Sequence, residues 1–236
     1  MFTVAIHQPH YLPYCGYLDK WDQADLLILL DDAQFTRGGW QNRNYVKTAQ
    51  GRQLLTVPVQ HEGFRPLRET RIDHTRRWDR AHRRTLEQAY AQAPYRYLLP
   101  LITEETYYRR WPSIGELALG STFCLGRHFG IPTPTVLAST LRVPGSGSRR
   151  LADLCRAVEA DAYLAGDGSR VYLDERPFEE AGIEVVWQNF VHPRWPQLHH
   201  RHGFISHLSG LDLLLNTGPD ALTVLRGTRL FTGAAS

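Results

Sequence analysis

Short apolar runs alternate with amphipathic stretches along the chain. Phe2–Ile6 is an apolar, β-branched run closed by a proline-containing turn, the mark of a buried strand. Gly16–Gln23 reads as a short helix carrying Tyr17 and Trp21, and Leu26–Leu30 is a second apolar run that ends in Asp31-Asp32. Strand, short helix, strand predicts a βαβ unit with parallel strands. That arrangement puts the loop after Ile6 and the acidic pair after Leu30 on one edge of the sheet, where open α/β sheets bind ligands.

Residues 34–52 are polar and glycine-rich, and Leu54–Val59 is another strand. Trp78, His82, Leu86 and Tyr90 recur every fourth residue and predict a helix over 76–90 with one buried stripe. Thr106–Phe129 predicts further helix, stopped by Pro132 and Pro134. Val136–Leu141 reads as a strand. The flexible loop Gly145–Ser148 delivers Ser148 as the N-cap of a helix over 149–159. Ala162–Leu164, Val171–Leu173 and Glu184–Trp187 read as late strands, and Phe178–Ala181 and Leu208–Asn216 as short helices. The tail from Thr228 has few anchors and is expected to be mobile. The pattern predicts a single α/β domain over 1–236: a Rossmann-like, mostly parallel sheet flanked by helices. Its core strands fall in about 1–60 and 135–215, with a helical insertion over about 75–131.

Composition narrows the class. At 42% hydrophobic and 22% charged, the 236 residues suit a globular domain with a real core. The three cysteines, Cys15, Cys124 and Cys155, are odd in number and far apart. They make neither a disulfide framework nor a zinc knuckle and fit a reducing cytoplasm. No signal peptide and no apolar run near 18 residues is visible, so a cytoplasmic protein without a membrane partner is expected. The net charge of +3 does not indicate nucleic acid, yet Arg65–Arg84 is crowded with Arg and His. Such a face suits an anionic small molecule or a nucleic acid backbone; the alternative is a solvated helix face.

Four segments carry candidate chemistry. His7-Gln8-Pro9-His10 follows the first strand and precedes the first helix. This resembles the paired histidines of HIGH-type nucleotidyltransferases, which hydrogen-bond to nucleotide phosphates beside a helix N-terminus. The third position there is usually Gly and here is Pro9, without an N–H. The other reading makes both histidines satisfied turn residues. The second segment is Asp31 to Asn44, with two acids, Arg37, Arg43, Trp40 and several amides. Arg43 can hold a phosphate or carboxylate as a fork, and Asp31 can orient an amine or bind magnesium. Trp40 can stack on a sugar or base; the alternative is a surface loop with a structural Asp–Arg pair. Third, Gly145–Arg150 opens a helix, with Ser148 and Arg149 as possible anion contacts, but it lacks the P-loop lysine. Fourth, His192, His199, His200 and His202 fall within 11 residues. Without a carboxylate at ligand spacing they point away from metal, and Trp195 and Gln197 read as pocket wall. No metal site and no nucleophile of the usual kinds is expected.

Read in order, the residues resemble the WbqC-like family. The pattern runs Ile6-His7-Gln8-Pro9, Tyr11-Leu12-Pro13, Gly16-Tyr17, Asp31, Gln34-Phe35, Trp40, Arg43-Asn44 and Leu55–Pro58. It continues with Trp78 and His82, Tyr163, Gly166, Gln197, Phe204 and Leu208–Leu214. The resemblance implies a bacterial biosynthetic protein from O-antigen, amino-sugar or natural-product assembly, where acylation of an amine is a common step. It also implies that His7, Gln8, Tyr11, Asp31, Gln34, Arg43 and Asn44 matter more than His10. The expectation is a transferase, by amine acylation or nucleotidyl-type chemistry, on an anionic or phosphate-bearing small molecule. His7, Asp31 and Arg43 are its catalytic candidates. Gln8, Tyr11, Gln34, Trp40, Asn44, Ser148, Arg149 and Gln197 are its binding candidates, and ATP with Mg2+ is the candidate cofactor. The alternatives are a non-catalytic ligand-binding or partner subunit, and an RNA- or tRNA-dependent protein using the Arg65–Arg84 face.

Overall fold

The computed structural model describes residues 1–60 and 65–229. The chain starts with β1 (Thr3–His7), α1 (Cys15–Gln23) and β2 (Leu26–Leu29), then makes a hairpin of β3 (Arg43–Thr48) and β4 (Gly51–Thr56). Three helices follow: α2 (Trp78–Ala89), α3 (Leu98–Tyr107) and α4 (Ile114–Phe129). The chain returns through β5 (Thr135–Leu137), α5 (Ala138–Leu141), α6 (Gly147–Ala157), β6 (Ala162–Ala165), α7 (Arg176–Glu180) and β7 (Glu184–Trp187). It closes with α8 (Gly210–Thr217) and α9 (Ala221–Gly227).

Five strands form an all-parallel sheet in the order β5-β2-β1-β6-β7. Ala5 pairs with Leu27 on one side and Leu164 on the other. Successive residues of a strand face opposite sides of a sheet, and here each side has its own core. Ala5, Leu27, Leu29 and Leu164 join α1, the hairpin, α2–α4 and α8–α9. Val4, Ile6, Ile28 and Tyr163 join α5–α7. Both faces being buried explains why these strands read as unbroken apolar runs. The fold is α/β and Rossmann-like, and the first βαβ unit is parallel, as its sequence predicts.

Other expectations need correction. Residues 34–52 contain β3, which pairs with β4 across a turn at Gly51 (φ +102°). The predicted strand Val136–Leu141 stops at Leu137 and turns into α5. Val171–Leu173 is a turn: Val171 and Tyr172 are 90% and 72% exposed and have no strand beside them. The stretch from Thr106 holds the end of α3 and a separate α4, whose N-cap Ser113 accepts a hydrogen bond from the Glu116 N–H. Ser148 is not an N-cap; that position is Ser146, and the Ser148 hydroxyl accepts from the Asp174 N–H at 2.9 Å. Of the tail expected to be mobile, residues 230–236 lie outside the described residues.

Candidate functional site

The strand order reverses between β1 and β6, so the loops that follow these two strands border a crevice at the carboxyl edge. His7 ends β1 and is half-buried. Its Nδ1 lies 3.0 Å from the Gln8 carbonyl, so Nδ1–H donates and Nε2 keeps a lone pair. Burial, with Lys20 nearby, lowers its pKa to about 3. His10 sits edge-on to His7 at 4.7 Å, and its pKa is also pushed well below the usual range by burial. Its backbone is pinned to Thr122 and Ser121, and its Nδ1 has no partner. Both imidazoles are therefore neutral at pH 7, and neither brings positive charge to a phosphate. A basic side chain near His7 is Lys20, buried on α1, whose Nζ donates to the Ile6 carbonyl at 3.0 Å. Loss of hydration lowers its pKa to about 7. Sequence reasoning missed Lys20, although it stands one helical turn from Tyr17 on the buried face of α1.

The segment after β2 folds back onto the segment after β1. The Tyr11 N–H donates to the Trp40 carbonyl at 3.2 Å, and the Gln41 amide donates to the Gln8 side chain. The Asn44 amide donates to the Leu12 carbonyl at 2.6 Å and holds Leu12 in a left-handed conformation (φ 46°). The Tyr11 hydroxyl is buried between His82 Nδ1, at 2.9 Å, and the Tyr107 hydroxyl. His7, Gln8, Tyr11, Trp40 and Asn44 are thus gathered into one region. The other candidates have partners elsewhere, although Asp31 follows the strand that pairs with His7. The Asp31 carboxylate accepts from the Ser139 N–H (3.0 Å) and hydroxyl (2.6 Å), tying β2 to α5. Asp32 pairs with Arg150 at 2.6 Å. Gln34 is exposed and bridges to Pro66. Arg149 pairs with Glu180 on the surface of α6. Gln197 is buried and bonds to Lys47, Ile205 and Asp212.

Arg43 reaches a cavity of about 460 Å³ between the 35–43 loop, the end of β4 and the start of α2. Among the described residues, Arg37, Arg43, Arg76 and Asp73 are the charged groups that line it, with Phe35 and Trp78 as apolar walls. Arg76 lies 3.8 Å from Asp73, whose carboxyl is held below its usual range by the Thr75 hydroxyl and N–H. The Arg43 guanidinium donates to the Gly38 carbonyl and stands 5.6 Å from the exposed Trp40 ring. Its Nε and the Trp78 Nε1 are buried with no hydrogen-bond partner. A guanidinium with an unfilled Nε beside apolar walls suits an organic phosphate or carboxylate.

The sequence pattern converges on this cavity: Phe35, Arg43, Thr56, Val57, Pro58 and Trp78 all line it. Residues 8–224 match the WbqC-like protein family. The chain belongs to that family. This WbqC-like protein is 38% identical over 237 residues to "Uncharacterized protein Rv1507c" of Mycobacterium tuberculosis (strain ATCC 25618 / H37Rv). The match covers 97% of this chain and 100% of the relative. No solved structure matches it.

Among the described residues of this WbqC-like protein, Glu105, Cys124 and His128 bring ligand atoms within 4.8 Å of one another, between α3 and α4. Arg127 already pairs with Glu105, and the Cys124 thiol is pushed up to about 12 by burial and that carboxylate. His192, His199, His200 and His202 form no such group; His192 instead packs on Trp195 and His207. No helix among the described residues is long and apolar enough to cross a membrane.

Proposed function

We propose that this WbqC-like protein is a biosynthetic transferase of the bacterial cytoplasm, acting in O-antigen, amino-sugar or natural-product assembly. It binds an anionic, phosphate- or carboxylate-bearing substrate in the cavity at Arg43. One observation supports this most: the Arg43 Nε is buried without a partner beside a cavity of about 460 Å³. In this reading Arg43 binds the anion, with Arg37 and Arg76 adding charge and Trp78 covering an apolar part of the substrate. His7, neutral and with Nε2 carrying a lone pair, accepts a hydrogen bond from the amine or hydroxyl that receives the transferred group. Gln8, Tyr11 and Asn44 hold the two loops in register, and Asp31 holds β2 against α5.

The test is a thermal-shift series with ATP, with and without Mg2+, nucleotide sugars and acyl-CoA. A ligand at a hundred times its dissociation constant adds roughly 2.7 kcal/mol to stability, which moves the melting temperature measurably. One of these anions should stabilise the protein, and Arg43→Ala should abolish the shift. A shift undiminished in Arg43→Ala, or none with any donor, refutes the assignment.

A further inference from the structure

Of 27 cationic residues only Lys20 and Lys47 are lysines, and both are buried, at 4% and 1% exposure. Every other position, nearly all with access to water, uses arginine. The two cations exchange readily on surfaces and poorly where a compact amine is enclosed. So the two lysines mark places where an amine is needed, and each should have a physical reason. Lys47 has one: its Nζ donates to the Gly203 carbonyl at 2.6 Å and to Gln197 Oε1 at 3.2 Å, with Asp212 close by.

Lys20 has no comparable set. Its Nζ donates to the Ile6 carbonyl and stands 5.5 Å from the Tyr163 ring centre, and the titratable groups facing it are the Cys155 thiol of α6 and the His7 ring. No carboxylate among the described residues pairs with it. Asp19, next in sequence, is taken by Arg229, Gln23 and Gln188. An ammonium has three N–H donors, so two are unfilled. A buried charge without a counter-charge costs several kcal/mol. Its location gives the cost a use. Lys20 lies over the carboxyl end of β1, opposite Gly166, which opens the loop after β6 at the point where strand order reverses. A Cβ on Gly166 would stand 3.9 Å from Nζ and 4.0 Å from Gln188 Oε1. Gly166 is partly exposed, so the missing side chain leaves a notch between solvent and the amine.

We propose that this notch between β1 and β6 is a second ligand site, in which Lys20 Nζ receives an oxyanion, a phosphate or carboxylate group of a bound molecule, and the ligand supplies the missing counter-charge. The site is separate from the Arg43 cavity and does not depend on its assignment.

Two lysines make a clean spectroscopic test. Lysine labelled with 13C at Cε gives two signals from the full-length protein, assigned with Lys20→Met. Inorganic phosphate, pyrophosphate, AMP and acetate are the probes. The Lys20 signal should move saturably while Lys47 stays, and its titration midpoint should rise as the anion stabilises the ammonium. Movement with phosphate and pyrophosphate assigns an inorganic oxyanion site, movement with AMP alone a phosphoester site, and movement with acetate a carboxylate site. Gly166 has ordinary extended geometry (φ −75°, ψ 146°), so Gly166→Val fills the notch without backbone strain and should weaken binding at least tenfold. Arg43→Ala should leave the Lys20 shift unchanged. If no probe moves Lys20, or Gly166→Val binds as the natural protein does, the proposal is overturned.

Discussion

Replacing Asp212 with alanine would take one carboxylate away from three buried donors. Asp212 sits on α8 and is 1% exposed. Its Oδ1 accepts from Trp195 Nε1 and Gln197 Nε2, both at 2.9 Å, and its Oδ2 accepts from the Tyr90 hydroxyl at 3.0 Å. Gln197 in turn accepts from Lys47 on β3. Burial pushes the Asp212 carboxyl above its usual range, while the donors and Lys47 pull it back. The network fastens α8, the end of α2, the hairpin and the loop before α8 to one another. Hydrogen bonds to a charged group contribute about 1.5–3 kcal/mol each. Each buried donor left without its acceptor costs about 1–3 kcal/mol. The two descriptions overlap because both count the same desolvated donors, so the loss expected of Asp212→Ala is about 3–5 kcal/mol, the sum over three donors with partial relaxation. Urea unfolding followed by tryptophan fluorescence reads this as a lower midpoint at unchanged m. The double variant Asp212→Leu, Lys47→Met removes both charges and should recover part of the loss. A loss below about 1 kcal/mol for Asp212→Ala, at unchanged m, would refute the reasoning, because the donors would then be worth no more than neutral ones.

Two further outcomes follow from the same physics. His7 and His82 have pKa values lowered to about 3 and about 4 from 6.5, first by burial. The unfolded chain then binds protons that the fold excludes, so stability should fall as pH drops from 6.5 toward 4, by up to about 1.4 kcal/mol per unit for each histidine. A melting temperature that is flat over that range would sink this account. Gly126 packs so closely on Trp21 that an added Cβ would lie 2.3 Å from ring carbons, and the indole is tethered by Nε1 to the Thr133 carbonyl. Gly126→Ala should cost about 1–3 kcal/mol through overpacking, seen as a drop in melting temperature; an unchanged value would mean that the ring swings aside freely.

Legibility in the sequence followed the kind of burial. The β1–α1–β2 unit and the α2 stripe were readable because their buried positions are apolar and regularly spaced: Trp78, His82, Leu86 and Tyr90 are all buried. Strand β3 was hidden because its buried positions include Asn44 and Lys47, whose partners are Leu12, Gln197 and Gly203. Nothing local reveals that a lysine will be satisfied 150 residues later. Val171–Leu173 misled in the opposite way, as apolar residues left in water. At the candidate site, the residue type of Arg43 was visible from its neighbours, but Arg76 and Trp78, which help to make its cavity, come from another element. Lys20 is not legible as a buried group because charged residues on short helices usually face solvent.

The two histidines that open the chain take a different place once charge is assigned. Spacing and position suggest a phosphate-handling turn, but a phosphate needs positive charge or free N–H donors. His7 donates its one N–H to the Gln8 carbonyl, burial keeps both rings neutral, and the His10 Nδ1 is left without a partner. The basic groups are elsewhere: Lys20 at the carboxyl end of β1, and Arg43 and Arg76 at the cavity beyond the next loop. The segment 8–12 is tied to the Arg43 loop by the Gln8–Gln41, Tyr11–Trp40 and Leu12–Asn44 hydrogen bonds. A ligand that drew Arg43 from Gly38 would therefore load the same short segment that positions His7. The histidine turn is a pair of neutral rings tied to the Arg43 loop, with no positive charge of its own to offer a phosphate.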